Sequence, residues 1–144
     1  MSDREQVERQ VVGVVHHIDR KRWVELRALF ADEVTTDYVS LFGGTVQQQA
    51  GDALIETWKS ALARVITQHL LGPIDVEISG DRATASCHVR AMHYAAAAKS
   101  GIEWEVLGHY RFQLLRTPVG FRITGMTLDT FHQVGNKNLL QEAQ

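Results

Sequence analysis

The spacing of the apolar residues changes in the middle of the chain, and this change restricts the fold more than any other feature. Before residue 67, apolar residues recur every three or four positions in three stretches, with one short β-branched run between them. From Thr67 onwards, they mostly alternate with polar residues. The first spacing is typical of amphipathic helices and the second of strands with one buried face. Helices followed by a run of antiparallel strands predict an α+β domain with two layers.

Two helices are predicted at the start of the chain. Ser2, with Glu5 three residues later, forms a capping-box pattern, and the apolar residues that follow predict a helix over about residues 3–18. Asp19 is predicted to cap a second, shorter helix whose apolar stripe begins at Trp23. That capping role is by itself a sufficient explanation for an aspartate at position 19.

A short strand and a third helix complete the first half. The β-branched residues from Val34 to Val39 predict the strand, and apolar residues from Leu54 to Val65 predict the helix, with Asp52 as its cap. At the other end of the chain, residues 135–144 are expected to form a short helix or a loose tail.

The strand predicted after the turn at Gly80 has two different faces. One face is polar, and the other is small, apolar and ends in a histidine. The second face should point into the interior. Its members are Ala83, Ala85, Cys87, Val89, Ala91 and His93.

Composition excludes several classes of protein. The 144 residues suit one domain, expected to span 1–144 with a core of about 7–134. The net charge of −2 argues against nucleic acid as the main partner. The single cysteine, Cys87, cannot form an intramolecular disulfide or a multi-cysteine zinc site. The charged N-terminus does not resemble a secretory signal, and no apolar run is long enough to span a membrane, so a cytoplasmic protein without a membrane partner is expected.

Histidines are the most promising candidates for chemistry, because their reference pKa of about 6.5 suits proton transfer near neutral pH. Of the seven histidines, His93 lies on the inward face of its strand and His69 lies in the strand that begins at Thr67. His88 falls on the opposite, polar face. For either inward histidine alone, a core residue hydrogen-bonded to a neighbour is an equally good interpretation.

Other candidate residues have simple structural interpretations. Tyr38 shares a face with Val34 and would point inward, where its ring could pack while its hydroxyl reaches water. Cys87, among alanines, is expected to be a buried and inert thiol. His17 and Asp19 have the spacing of a facial iron site but straddle two predicted helices, so no metal is predicted. The chain has no phosphate loop or dinucleotide fingerprint, and no cofactor is predicted.

Taken together, several short motifs resemble the SnoaL-like branch of the nuclear-transport-factor-2-like superfamily. The resemblance extends from about Val7 to Val134 and implies a cone-shaped fold, in which a curved mixed sheet wraps around a long helix and leaves a deep pocket. The motifs that carry it are Asp19-x-x-x-Trp23-x-x-Leu26, Thr36-Asp37-Tyr38, Thr67-Gln68-His69-x-x-Gly72 and Gly120-Phe121-Arg122-Ile123-Thr124-Gly125.

Within that superfamily, the pattern is most similar to the scytalone dehydratases, with the bile-acid dehydratases as relatives. The resemblance implies a catalytic site of Asp19, Tyr38, His69 and His93. In it, Asp19 would orient His93 as the general base, His69 would polarise the substrate carbonyl or share the proton transfer, and Tyr38 would donate a hydrogen bond to the oxygen that gains charge. The chain departs from the dehydratase pattern at Ile18, where that family has a second tyrosine.

The resemblance therefore implies a cofactor-independent dehydratase or isomerase that acts on a small, apolar, carbonyl-containing molecule. The alternative is a non-catalytic module of the same fold that binds a small molecule or serves in assembly. A homo-oligomer, either a dimer or a trimer, is also expected. This expectation assumes that aromatic and apolar residues of the strand from Trp104 to Leu115 point outward and need to be covered.

Overall fold

Five helices and seven strands make up the chain, and all 144 residues are described by the structure, a computed structural model. The helices are α1 (Asp3–Asp19), α2 (Trp23–Ala28), α3 (Val39–Phe42), α4 (Gly51–Ala61) and α5 (Leu139–Glu142). The strands are β1 (Phe30–Asp37), β2 (Gln47–Ala50), β3 (Ile66–Leu71), β4 (Asp75–Ser79), β5 (Arg82–Tyr94), β6 (Glu103–Thr117) and β7 (Gly120–Gly135). The predicted α+β class is confirmed.

The seven strands form one curved and unclosed mixed sheet. Its order is β2-β1-β7-β6-β5-β3, and β4 pairs with the first part of β5. Only β1 and β7 are parallel. The long β6–β7 pair shifts register at two points, between Leu107 and Gly108 and between Gln113 and Leu114. Such irregularities increase the local bend and twist of a strand pair, and they help the sheet to curve.

Helix α1 packs against the sheet and supplies one stripe of the core. The capping box at its start is confirmed, because the Ser2 hydroxyl accepts a hydrogen bond from the Glu5 amide at 3.2 Å while the Glu5 carboxylate accepts one from the Ser2 amide at 2.7 Å. The apolar stripe contacts β3, β4, β5 and β7. Its buried members are Val7, Val11, Val14, Val15 and Ile18.

The inward face predicted for β5 is confirmed, since every residue from Ala83 to Ala91 on that face is buried. The neighbouring strand β6 corrects an expectation. Its aromatic residues Trp104, Tyr110 and Phe112 are buried on the inner side of the sheet, so they provide no outward surface for an oligomer. Exposed apolar side chains lie at Leu115, near the end of β6, and at Phe131 and Val134 of β7. A dimer or trimer stays a prediction.

Neither aspartate predicted to cap a helix does so. Asp19 is the last residue of α1, and Arg22 precedes α2 without a side-chain cap. The Asp19 carboxylate is instead bonded to β3, as described below. Asp52 lies inside the first turn of α4 and accepts a hydrogen bond from Arg27 at 2.6 Å. In both cases, the carboxylate that local sequence predicted as a helix cap is hydrogen-bonded to a residue from a distant part of the chain.

The last ten residues are not a loose tail. Leu139 in α5 and Ala143 after it are buried, and the Asn136 side chain ties the segment to the Gly101 carbonyl at 2.8 Å. Glu142 accepts a hydrogen bond from the Ser100 amide at 2.7 Å. The segment therefore packs against the rest of the domain. No helix of the protein combines the length and the apolar character needed to cross a bilayer.

Candidate active site

A cavity of about 290 Å³ lies between the inner face of the sheet and helices α3, α4 and α5. Fifteen of its twenty lining residues are hydrophobic. None of the twenty is Lys, Arg, Asp or Glu, so histidines provide the only ionisable nitrogens in the wall. An apolar cavity with a few polar groups is the usual form of a small-molecule site.

The structure brings three of the four predicted site residues into the wall of this cavity. They are Tyr38, which follows β1, His69 in β3 and His93 in β5. Asp19 is not part of the wall. It lies at the end of α1, behind His69, where its side chain is 18% exposed and that of His69 is 8% exposed.

The Asp19 carboxylate is held by three hydrogen bonds from β3. Its Oδ1 lies 2.6 Å from Nδ1 of His69 and accepts a bond from the Thr67 hydroxyl at 2.9 Å, while its Oδ2 accepts one from the His69 amide at 2.9 Å. Burial alone would raise the pKa of Asp19, but the bonds from His69 and Thr67 outweigh it and hold that pKa below its usual value. Asp19 is therefore ionised at neutral pH.

This geometry corrects the sequence-based pairing of Asp19 with His93, because the carboxylate is bonded to His69. The reason lies in the packing of α1. The helix contacts β3, which is the edge strand, so the carboxylate at the end of α1 meets β3 first. His93 lies on the next strand inward, directly opposite Thr67 in the ladder.

His93 has a different environment from His69. Its Nδ1 lies 3.0 Å from the backbone carbonyl oxygen of Trp104, and its ring lies on the Trp104 ring with 4.3 Å between centroids. Because a carbonyl oxygen can only accept, Nδ1 carries the hydrogen and Nε2 is left as an acceptor. Burial lowers the pKa of His93 to about 4, although its bond to Trp104 acts in the opposite direction. His93 is thus a neutral ring at physiological pH.

Tyr38 and Tyr110 place two hydroxyl groups next to one another in the cavity wall. Burial raises the pKa of both phenols well above the ordinary value, so both remain O–H donors. The Tyr38 hydroxyl lies 3.7 Å from Sδ of Met126, and Tyr110 lines the same wall. The dehydratase resemblance lacked its second tyrosine at Ile18, and here a tyrosine from β6 stands beside Tyr38.

Sequence reasoning did not assign four polar residues of the cavity wall to the site: Thr36, Gln49, Thr57 and Tyr110. Tyr110 could have been found, because it shares the inward phase of β6 with Trp104 and Phe112. Gln49 gave no usable signal, because β2 is only four residues long and has no apolar alternation. Nowhere in the protein do three or more His, Cys, Asp or Glu residues converge in a way that could hold a metal ion.

Comparison with known proteins gives a family and a set of related structures. The profile of the SnoaL-like domain matches residues 1–127. No protein of curated function matches the chain in sequence. The crystal structure of the Kfla4162 protein from Kribbella flavida is 26% identical, with a TM-score of 0.90 over 96% of this chain and 97% of that one.

Two further solved structures share the fold at lower identity. A proposed scytalone dehydratase from Novosphingobium aromaticivorans has a TM-score of 0.78 at 21% identity, over 93% of this chain and 87% of that one. A hexachlorocyclohexane dehydrochlorinase has a TM-score of 0.77 at 10% identity, over 92% and 88%. At these identities, the likeness establishes the fold.

Proposed function

The chain belongs to the SnoaL-like domain family, and from that premise we propose that it is a cofactor-independent dehydratase or isomerase. Its substrate is a small, apolar molecule from which a proton is removed beside a carbonyl group. The observation that carries this proposal is the Asp19–His69 pair at the wall of an apolar cavity. A buried carboxylate that fixes one nitrogen of a histidine is the arrangement that prepares the other nitrogen as a base.

His69 is the proposed general base. The ionised Asp19 accepts the Nδ1 hydrogen at 2.6 Å, so in the neutral ring Nε2 carries the lone pair. When Nε2 takes a proton from the substrate, the nearby carboxylate stabilises the imidazolium that forms. The bond from the His69 amide to Asp19 holds the same carboxylate in place from the backbone.

The Tyr38 hydroxyl is the proposed donor to the carbonyl oxygen, which gains negative charge as the proton leaves. A donor that is already positioned in a water-poor site stabilises such a charge effectively. Tyr110 lines the same wall and is a second candidate donor. Neither phenol ionises at neutral pH, so each is available as a donor.

His93 is proposed to position the leaving hydroxyl group of a dehydratase substrate. Its neutral Nε2 accepts a hydrogen bond from that hydroxyl, and the ring is held by the Trp104 carbonyl. After the α C–H bond breaks, its electron pair forms a C=C bond as the C–O bond breaks. The departing hydroxide takes the proton from His69 and leaves as water. In an isomerase, His69 returns the proton to a different carbon.

Two of the related structures have names that are compatible with this chemistry. Dehydratases remove water, and a dehydrochlorinase removes hydrogen chloride, so each begins with a C–H bond and ends with a new double bond. These names support elimination as one form of the proposed reaction. A non-catalytic binding module of the same fold is the alternative that the experiment must separate.

The test is deuterium exchange at the carbon beside a carbonyl, which both a dehydratase and an isomerase must catalyse. 2-Tetralone in D₂O serves as the probe, and NMR follows the loss of its α-proton signals. Exchange with the wild-type protein should exceed that in buffer, and His69→Gln should lower the catalysed rate by about 10²–10⁴-fold.

The matched control is His88→Gln, which removes an exposed histidine from the opposite face of β5 and should leave the rate unchanged. If the wild-type protein binds 2-tetralone without accelerating exchange, the cavity is a binding site and the enzyme proposal is wrong. If His69→Gln exchanges at the wild-type rate, His69 is not the base.

A further inference from the structure

A second pair of polar side chains lies in the cavity wall, away from the histidines. Gln49 of β2 and Thr36 of β1 both line the cavity, and Nε2 of Gln49 lies 3.4 Å from Oγ1 of Thr36. Thr36 is buried, and Gln49 is the only residue of β2 that is not exposed. Gln49 stands opposite the buried Val34 in the ladder, a position where an apolar side chain would complete the core.

This pair is only partly satisfied. The hydrogen bond between the two side chains is the only one that either makes. It leaves the hydroxyl hydrogen of Thr36 and the carboxamide oxygen of Gln49 without a protein partner. Both residues line the cavity and Gln49 is only half-buried, so this donor and this acceptor are open to a ligand that carries an oxygen.

The position of the pair relative to the histidines defines a direction across the cavity. In the sheet order, β2 and β1 form one edge, whereas β5 and β3 form the other. Strands β1 and β5 are three strand spacings apart, about 14 Å along the sheet at about 4.8 Å per spacing. The pair and the two histidines therefore lie in different parts of the wall of one cavity.

The charge of the wall restricts the chemistry of the group that binds here. No lining residue is Lys or Arg, so a carboxylate or phosphate would have no cationic partner within the cavity. No lining residue is Asp or Glu, so an ammonium group would have no anionic partner. The group that fits is a neutral oxygen, either a hydroxyl or a carbonyl.

We propose that Gln49 and Thr36 form a subsite for a second, uncharged oxygen on the substrate, on the β1–β2 side of the cavity and away from His69. The substrate class is then a neutral molecule with an apolar body and a second oxygen besides the reacting carbonyl. This inference rests on the proposed function only in treating the His69 end as the reacting end. The subsite itself is a matter of binding and can be measured without turnover.

The experiment compares three ligands of similar shape by isothermal titration calorimetry: 2-tetralone, 6-hydroxy-2-tetralone and 6-methyl-2-tetralone. The hydroxyl ligand carries an oxygen on the ring opposite the ketone, and the methyl ligand fills similar space without one. The wild-type protein should bind the hydroxyl ligand about 3- to 10-fold more tightly than the methyl ligand, the usual range for one neutral hydrogen bond.

Gln49→Leu keeps an inward side chain of similar size and should reduce that preference to about one. Thr36→Val should reduce it in part. The control is Gln48→Leu, which removes the exposed neighbouring glutamine and should leave the preference at the wild-type value.

Each outcome decides the proposal. A preference that survives Gln49→Leu, or an absence of millimolar or tighter binding by the hydroxyl ligand, overturns the subsite. If the preference is present and depends on Gln49 while exchange is no faster than in buffer, the subsite stands and the proposed function fails. If exchange is fast but the hydroxyl ligand has no advantage, the proposed function stands and the subsite fails.

Discussion

His69 and His93 lie on neighbouring strands of one cavity wall, with 6.2 Å between their ring centroids, yet their surroundings differ. At the β3 end, Nδ1 of His69 is bonded to an ionised carboxylate. At the β5 end, Nδ1 of His93 is bonded to a backbone carbonyl, and its ring is packed on that of Trp104. One partner carries a charge that can stabilise an imidazolium, and the other carries only a dipole.

This difference shows that the partner of a histidine, more than its place in a strand, decides its chemistry. The dehydratase resemblance implied that His93 is the base, and strand phase placed His93 at the end of a well-defined inward face. Burial without a carboxylate keeps His93 neutral and makes it a weak base. The carboxylate at the end of α1 is the reason why His69 is proposed as the base.

The largest expected effect is on the catalysed exchange rate. Substitutions beside His69 and at His93 compare the two histidines directly. Asp19→Asn should lower the rate of 2-tetralone exchange by about 10²-fold or more, because an amide cannot play the part of the ionised acceptor for Nδ1–H of His69. His93→Gln should lower it by about 10-fold or less, since the exchange step needs no leaving hydroxyl group. Equal losses in the two variants would remove the distinction between the two histidines.

The pH dependence of this rate sharpens the same comparison. If His93 were the base, the rate would fall on the acid side near its pKa of about 4, and this acid limb would disappear in His93→Gln. A profile of that kind would restore the pairing predicted from the sequence. An acid limb that His93→Gln leaves in place supports His69.

The second effect is on stability between about pH 6.5 and pH 4. The pKa of His93 is lower in the folded protein than in the unfolded chain, so in this range the unfolded chain binds a proton that the folded protein does not. The contribution of neutral His93 to the free energy of unfolding is therefore fully present above about pH 6.5, and it is lost as the pH decreases towards 4. The contribution of His93 to this loss should be about 3 kcal/mol.

Urea unfolding at several pH values measures this effect. His93→Gln cannot titrate and should show a shallower loss of unfolding free energy over the same range, whereas His88→Gln on the exposed face should keep the wild-type slope. NMR of the histidine ring nitrogens gives a second reading, in which His93 stays neutral down to about pH 4. An identical slope in wild type and His93→Gln would show that burial does not lower the pKa of His93.

The smallest effect is on the free energy of unfolding, and it concerns the hydrogen bond that holds the Asp19 carboxylate beside His69. Thr67→Val removes the hydroxyl that donates to Oδ1 of Asp19 and should lower the free energy of unfolding by about 1 kcal/mol. Thr84→Val, a threonine of β5 that makes no side-chain hydrogen bond, is the control and should change stability by less than about 0.5 kcal/mol. If the two variants were equally stable, the Thr67 hydroxyl would not hold the carboxylate.

Much of the fold could be predicted from the sequence, because the helix and strand periods are local properties. The start of α1 at a capping box and the buried face of β5 followed directly from residue order. The failures were also local. Asp19 and Asp52 looked like helix caps because a capping residue is identified by its nearest neighbours, while the partners that compete for it are distant in sequence.

The sequence by itself determined part of the cavity wall and its apolar character. Alternation placed His93 on the inner face of its strand, the dehydratase resemblance pointed to Tyr38 and His69, and the lack of charged residues in those phases made the wall apolar. Only the tertiary structure decided which groups meet there. The order of strands in the sheet and the packing of α1 against β3 bring Asp19 to His69, Tyr110 to Tyr38 and Gln49 to Thr36. Periodicity describes the direction of a side chain along one element, whereas a contact depends on two elements and on the chain path between them.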